Sequence, residues 1–368
     1  MLKYGLLLAA SGAAVLAYTW VLYPTAVRVA AWGRRRQRSH TTADPPLVSV
    51  IVASREPMNV IRARAQNIAR AAYPKERLEI VIGRDSGHEW KSLQDDLQAT
   101  PLHIVPGDAP GGKAATLNAA VRAARGRILV FTDSYQEFFP ETIGKLVSEL
   151  ESDSSLGAVS GTLDIQGGPW LIRSYWRYER WLRYWESIVH SSVGVTGAVY
   201  AMRRELWQPL PPGLILDDLY VPMRLVLDGY RVGWSREARA RDARQIGIRE
   251  EKRRKARTLT GVLQLCAWLP EVLVPWRNPI WLQFVSHKLL RLLTPFALVA
   301  IFVGGILVAA ETLDRRWLLA GALLLATAAG AGAAISRRVR ELLSSAIAVQ
   351  LAATRALWNA ARGKWDVW

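Results

Sequence analysis

Cysteine and histidine are scarce in this sequence of 368 residues, which contains one cysteine, Cys266, and five histidines. A single cysteine cannot close an internal disulfide, and the histidines do not show the spacing of metal ligands. The sequence therefore excludes a disulfide framework within the chain and gives no indication of a zinc site or a thiol redox centre.

Acidic residues are the minority charge, with 31 Asp and Glu against 48 Lys and Arg and a net charge of +17. Such an excess of positive charge is typical of proteins that bind nucleic acid or anionic membrane surfaces. Hydrophobic residues make up 51% of the chain, which also has 16 Trp. Because the arginines cluster beside apolar runs, we expect the anionic partner to be membrane lipid, and we expect no binding of nucleic acid.

Charged residues are absent from three runs, 4–27, 292–310 and 317–336. Each run is close to the about 20 residues that cross a bilayer as a helix. The first run is followed by the basic block 34–36, whereas a signal peptide has its basic residues before the apolar run. The sequence therefore predicts a retained anchor with its basic end in the cytoplasm, and a later hairpin of two spans.

The apolar and basic runs divide the chain into five predicted parts. These are an N-terminal transmembrane anchor 1–33, a cytosolic domain 46–258, interfacial helices 259–291, a transmembrane hairpin 292–336, and a C-terminal interfacial helix or tail 337–368. The aromatic and arginine-rich segment 174–187 fits either a helix at the membrane interface or a platform that stacks on sugar rings.

Short β-branched runs at 47–54, 78–83 and 127–133 alternate with helical stretches, which predicts an α/β domain with a parallel sheet. Asp85 and Asp133 follow the second and third of these strands. The carboxyl ends of strands are where open α/β sheets bind ligands. Either aspartate alone could merely cap a turn, whereas two at equivalent positions favour a shared ligand.

Two further segments carry candidate ligand groups. In PGDAPGGKAATLNAA, Lys113 follows two glycines at the start of a predicted helix, a place that favours phosphate, although the spacing is not that of a P-loop or a dinucleotide fingerprint. In LILDDLY, Asp217 and Asp218 stand side by side in an apolar run. A helix cap explains one of these aspartates but does not require both.

The order of these motifs resembles the membrane-bound branch of glycosyltransferase family 2. The quoted segments are GGKAATLNAAVRAARGRILVFTDS, VSGTLDI, YWRYERWLRYWES, GVTGAVYAMRRELW, DDLYVPMRLVLDGYRVGW, EEKRRKARTLTGVLQ and SHKLLRLLTP. The branch includes the synthases of cellulose, chitin, hyaluronan and poly-N-acetylglucosamine, and the resemblance covers about residues 46–295. It implies a cytosolic nucleotide-sugar-binding domain of the GT-A fold, joined to transmembrane and interfacial helices.

The resemblance also implies roles for individual residues. Asp218 matches the general base, and Asp217 matches its acidic partner and is also a candidate helix cap. The residues that match nucleotide-sugar-binding positions are Asp85, Lys113, Asn118, Asp133, Arg254 and Arg257. Asp133 matches the first acid of the DxD motif and would bind Mg2+ or Mn2+.

Two motifs depart from the pattern of the family. The DxD segment is Asp133-Ser134-Tyr135, so its second acid is missing, and the QRxRW segment aligns with residues 254–258, where Thr258 replaces the tryptophan. The first departure leaves the cation dependent on one carboxylate, substrate phosphates and water. The second removes the group that would stack on the acceptor of a processive polymerase.

The expected function is inverting transfer of a sugar from a nucleotide sugar, with a UDP-sugar as the expected donor, to a hydroxyl group of a lipid or a growing glycan. The enzyme would be an integral membrane protein with its catalytic domain in the cytoplasm, and a bacterial plasma membrane is the expected location. The alternatives are a processive polysaccharide synthase with partner subunits, and a catalytically silent membrane scaffold of the same fold.

Overall fold

The computed structural model describes residues 1–34, 44–85, 100–167, 170–242, 244, 248–314, 350–351 and 353–365, with residues 316, 317, 321, 327, 330 and 336. It divides into two compact units. The sheet unit comprises Ala30–Gln245 and Leu265–Trp281. The helical unit comprises Met1–Val29, Ile246–Gln264 and Leu282–Trp368.

The helices and strands alternate through the middle of the chain. The helices are α1 (Leu2–Ala17), α2 (Tyr23–Ala30), α3 (Met58–Ala69), α4 (Lys113–Ala123), α5 (Thr142–Glu151), α6 (Trp170–Val189), α7 (Asp217–Leu227), α8 (Ile248–Trp268), α9 (Trp281–Phe284) and α10 (Thr294–Thr312). The strands are β1 (Val48–Ser54), β2 (Leu78–Arg84), β3 (Leu102–Pro106), β4 (Ile128–Thr132), β5 (Glu137–Phe138), β6 (Leu156–Ile165), β7 (Tyr200–Arg203) and β8 (Arg231–Asp242).

The strands form one eight-stranded mixed sheet in the order β3-β2-β1-β4-β7-β6-β8-β5. The sequence prediction of a parallel sheet is confirmed for β1, which pairs in parallel with β2 and β4. On the other side of β4 the sheet continues with the antiparallel strand β7. The carboxyl ends of β1, β2 and β4 therefore lie along one edge of the sheet.

Burial explains why these runs become central strands. Every residue of β4 is buried, as is every residue of β2 except the last. Runs that are apolar throughout are typical of parallel strands covered on both faces. The main core cluster joins the sheet to α3 and α5, through side chains such as Ile61 and Ile143 that are fully buried.

The buried carboxylate of Glu79, on β2, contacts both β1 and the turn before β4. Glu79 on β2 accepts hydrogen bonds from the backbone N–H of Arg125 at 2.6 Å and of Gly126 at 3.3 Å. The hydroxyl of Ser49, its register partner on β1, also donates to Glu79. The Gly126 N–H also donates to the Ser49 hydroxyl at 2.7 Å, so Glu79 and Ser49 together hold the turn before β4 against the first two strands.

The helical unit contains two helical stretches long and apolar enough to cross a membrane, Leu2–Ala30 and Trp281–Thr312. Glycines let α1 and α10 approach closely. A Cβ atom on Gly304 would lie 2.6 Å from the backbone N of Ala9, and one on Gly12 would lie 2.5 Å from the carbonyl oxygen of Ala297. Small residues at such crossings are typical of helix pairs in membranes.

The second stretch, Trp281–Thr312, includes residues 281–291, which the sequence division assigns to the interfacial helices. Pro270, Pro275 and Pro279 all precede Trp281, and the stretch begins after the last of them. Pro295 lies in the first turn of α10, directly after the short 3-10 segment Leu290–Leu293. Most of the third predicted span, 317–336, lies outside the described residues.

The Glu79 contacts predict a stability difference between two variants. Glu79→Ala leaves the Ser49 hydroxyl and the backbone N–H of Arg125 without this acceptor, and we expect it to cost about 2 kcal/mol of unfolding free energy. Glu79→Gln keeps one acceptor oxygen and should cost less. Thermal unfolding of the purified protein in detergent measures both, and an alanine variant as stable as the parent would contradict this account of the turn.

Candidate active site

The candidate site is built around Lys113, the first residue of α4. Its ammonium nitrogen lies 3.4 Å from Oδ1 of Asp133, which follows the end of β4, and 3.1 Å from Oδ1 of Asp217, the first residue of α7. Three segments that are distant in sequence therefore meet at one cation. The sequence predicted Lys113, Asp133 and Asp217 as site residues, and the structure brings them together.

The electrostatics of this contact keep Lys113 charged. Burial lowers the pKa of Lys113, but the carboxylates of Asp217, Asp133 and Asp218 raise it by more, so the pKa lies above its ordinary value. The side chain of Asp217 is only 10% exposed, whereas that of Asp133 is 44% exposed. Lys113 thus neutralises a buried carboxylate, while Asp133 remains accessible from solvent.

The start of α7 corrects one prediction about Asp217. Leu216 occupies the N-cap position, and the cap makes no side-chain hydrogen bond. Asp217 lies inside the first turn, where its charge still favours the helix dipole, but its carboxylate turns to Lys113. The ion pair therefore replaces the predicted cap.

Asp218 is half-buried and is held by the connection between β6 and β7. The backbone N–H of Val195 donates to the carbonyl oxygen of Asp218 at 2.9 Å. A Cβ atom on Gly197 would lie 3.2 Å from Cβ and 3.5 Å from Oδ2 of Asp218. Because Gly197 has no side chain, the Asp218 side chain can occupy its observed position.

Asp85 and Asn118 make contacts that shape the site from outside its centre. Oδ1 of Asp85 accepts the backbone N–H of Gly112 at 2.9 Å, which ties the end of β2 to the residue before Lys113. The amide of Asn118 donates to the carbonyl oxygen of Leu210 and accepts from its N–H, at 2.9 and 2.8 Å. Both residues fasten loops around α4, and their predicted contacts with a nucleotide sugar stay predictions.

The two residues after Asp133 point to other partners. The hydroxyl of Ser134 donates to that of Ser54 at the end of β1, at 2.8 Å. The hydroxyl of Tyr135, which stands where the DxD motif has its second acid, donates to Oε2 of Glu56 at 2.6 Å. These hydroxyls therefore brace the end of β4 against the loop after β1.

Arg64 is a site neighbour that the sequence reasoning missed. It is 2% exposed on α3, donates to the hydroxyl of Thr132 at 2.7 Å and lies over the ring of Phe138. Burial lowers the pKa of Arg64 to about 9, against the opposing charges of Asp133 and Glu137. A buried cation thus lies behind the strand end that carries Asp133. A single arginine within a helical pattern gives no signal of this in the sequence.

Tyr200 is a second residue that was missed. It is fully buried on β7 opposite Phe131, and the two rings stack with centroids 4.7 Å apart. Burial raises the pKa of Tyr200 well above its ordinary value, and the charges of Asp217, Asp218 and Asp133 raise it further. Its hydroxyl therefore lies within the electrostatic reach of all three candidate carboxylates.

Arg254 and Arg257 lie on α8, in the part of that helix that belongs to the helical unit. Both are half-buried. Their predicted contacts with the diphosphate of a donor stay predictions.

The described residues contain no group of three or more His, Cys, Asp and Glu side chains arranged to hold a metal ion. Asp133 and Asp217 nevertheless converge on one positive charge, the Lys113 ammonium. Magnesium is often held by one or two carboxylates together with substrate phosphates. Such a donor set fits the site if a substrate supplies the remaining oxygens.

Comparisons with known proteins agree with this architecture. Residues 49–205 match the model of the glycosyl transferase family 2 domain. No curated protein sequence matches the chain. Among solved structures, the mannosyltransferase PcManGT from Pyrobaculum calidifontis, in complex with GDP-Man and Mn2+, is 22% identical with a TM-score of 0.76, over 98% of this chain and 99% of that one.

Two further solved structures have lower similarity. GalNAc-T7 with UDP, GalNAc and Mn2+ is 14% identical with a TM-score of 0.44, over 59% of this chain and 48% of that one. TarS 1-349 from S. aureus with UDP is 16% identical with a TM-score of 0.40, over 59% of this chain and 65% of that one.

The contact between Gly197 and Asp218 predicts that Gly197→Ala lowers the rate of the reaction carried out at this site without unfolding the protein. The new methyl group would push the Asp218 carboxylate by a few tenths of an ångström, and we expect a roughly tenfold loss of kcat. Steady-state kinetics and thermal unfolding measure the two effects.

The matched control is Gly144→Ala on α5, where a new Cβ atom would meet nothing closer than 4.0 Å. Its activity should equal that of the parent. Equal activity of the Gly197 variant would show that the position of Asp218 does not limit the rate.

Proposed function

We propose that this protein, whose residues 49–205 match the glycosyl transferase family 2 model, is a glycosyltransferase that transfers a sugar from a nucleoside diphosphate sugar to a hydroxyl group at a membrane surface. The observation that carries the proposal is the convergence of Asp133, Asp217 and Lys113 at one edge of the sheet, with Asp218 next in sequence. One site thus contains groups that can bind a diphosphate and a carboxylate that can accept a proton.

Asp133 and Lys113 suit the diphosphate of the donor. The Lys113 ammonium can pair with phosphate oxygens, and the accessible Asp133 carboxylate can hold a divalent cation, Mg2+ or Mn2+, that shares those oxygens. The cation would neutralise the charge that develops on the leaving diphosphate. PcManGT, whose fold matches over nearly the whole chain, was solved with Mn2+ and GDP-Man, which supports testing GDP-sugars beside UDP-sugars.

Asp218 suits the general base. It is half-buried, and the N–H of Val195, in the connection between β6 and β7, donates to its backbone carbonyl oxygen. The acceptor hydroxyl oxygen would attack the anomeric carbon while Asp218 takes its proton. The bond from the anomeric carbon to the diphosphate breaks, and the nucleoside diphosphate leaves with the bonding electrons. One displacement inverts the anomeric carbon, so an α-linked donor gives a β-linked product.

The membrane part of the proposal rests on the two helical stretches long and apolar enough to cross a bilayer. Basic residues 34–36 follow the first stretch, which favours a cytoplasmic position for the sheet unit. A lipid or a growing glycan at that surface would supply the hydroxyl group. The roles of Arg254, Arg257, Asp85 and Asn118 in donor binding belong to the same proposal.

The direct experiment incubates the protein in lipid vesicles with a panel of UDP- and GDP-sugars and Mn2+. Release of free nucleoside diphosphate identifies the donor, and mass spectrometry identifies the product. One added sugar on a lipid supports single transfer, and a ladder of sugars supports polymerisation. Absence of nucleotide release and of binding for every donor tested would reject the proposal.

Asp133→Asn should weaken the binding of cation and donor together, because the neutral amide is a poorer ligand for a divalent ion. We expect at least a tenfold weaker donor affinity in the presence of Mn2+. Calorimetric titrations with and without the ion measure it. Full activity of the parent in excess chelator, with unchanged donor affinity in the variant, would remove the metal assignment.

Asp218→Asn should abolish the proton acceptor and leave the donor site intact. Transfer should fall by roughly two to four orders of magnitude while donor affinity stays near that of the parent. Single-turnover assays at several pH values, beside binding titrations, measure the two quantities.

Asp217→Asn is the matched comparison for Asp218→Asn. It weakens the ion pair with Lys113, so we expect weaker donor binding and lower thermal stability, with a smaller loss of the transfer step. If Asp217→Asn alone stops transfer while the protein stays folded, the assignment within the pair is reversed.

A further inference from the structure

The hydroxyl of Tyr200 has no hydrogen-bond partner among the described residues, although it is completely buried. A phenol in a protein interior loses its hydrogen bonds with water, and leaving the group unpaired is unfavourable. The ring alone would satisfy the packing, since its stack on Phe131 uses only the aromatic face. A phenylalanine would therefore fill this place without the penalty.

The position of Tyr200 connects its hydroxyl with the candidate site. Its register partner Phe131 precedes Asp133 by two residues on the neighbouring strand. The residues just before Tyr200 contact Asp218, through the N–H of Val195 and the bare Cα of Gly197. Tyr200 thus lies on the strand next to the one that ends before Asp133, and it follows the segment that contacts Asp218.

We propose that Tyr200 is a positioning residue whose hydroxyl donates a hydrogen bond to an oxygen that enters with the donor, and thereby aligns the carboxylates around that donor. The inference rests on the proposed function, because it needs a diphosphate or its bound water to supply the oxygen. Burial, together with the negative charges of Asp217, Asp218 and Asp133, raises the pKa of Tyr200, so the phenol stays protonated and can donate a hydrogen bond.

If this is so, the Tyr200 hydroxyl lowers the stability of the protein without donor and raises the stability of the protein with donor bound. The same group would then have opposite effects on stability before and after donor binding. A tyrosine with a purely structural role, or one that bonds a permanent internal water, would stabilise both states alike.

The test is Tyr200→Phe, with Tyr73→Phe as the matched control. Tyr73 is also buried, but its hydroxyl donates to the carbonyl oxygen of Pro46 at 2.6 Å. Thermal unfolding is measured for each variant alone and with the UDP- or GDP-sugar that stabilises the parent most, in the presence of Mn2+. Steady-state kinetics with that donor give kcat and KM.

For Tyr200→Phe we expect an unfolding midpoint without donor equal to or above that of the parent, a smaller donor-induced rise, and a roughly tenfold lower kcat/KM. For Tyr73→Phe we expect a lower midpoint without donor and unchanged kinetics. A Tyr200 variant that loses stability without donor and keeps the parent's kcat/KM would overturn the inference alone. A parent that no nucleotide sugar stabilises would overturn the proposed function and this inference together.

Discussion

The candidate site depends on one cation placed among carboxylates. Asp133, Asp217 and Asp218 come together from two distant segments, and their mutual repulsion would oppose the fold unless a positive charge lay between them. The Lys113 ammonium, 3.4 Å from Asp133 and 3.1 Å from Asp217, provides that charge. The attraction also raises the pKa of Lys113, so this lysine stays positively charged over the physiological pH range.

The sheet supplies the geometry that this cluster needs. Parallel pairing of β1 with β2 and β4 puts the ends of these strands at one edge, and each end is braced. Asp85 binds the N–H of Gly112, and Ser134 binds Ser54. The buried Glu79 holds the opposite end of β4 in the same way. Support at both ends of the strands fixes where the candidate carboxylates Asp85 and Asp133 lie.

Part of the site is retained at a cost in stability. Arg64 is buried as a cation behind β4, and the hydroxyl of Tyr200 is buried without a partner among the described residues. Burying such groups is unfavourable unless they are paired. Arg64 is paired with Thr132 and lies near the charges of Asp133 and Glu137, whereas the Tyr200 hydroxyl is the group for which we propose an oxygen that enters with the donor.

The sequence by itself predicted the α/β fold and the charge-free runs 4–27 and 292–310 that lie in the two long helical stretches, because alternation and charge-free runs are local signals. The residues that it assigned to a nucleotide sugar stay predictions. Only the tertiary structure decided that Asp217 pairs with Lys113 instead of capping α7, and that Asn118 uses both ends of its amide on Leu210. It alone revealed Arg64, Gly197 and Tyr200 beside the carboxylates. These facts depend on which strands become neighbours, and contacts between residues as distant in sequence as Lys113 and Asp217 leave no periodic pattern in the chain.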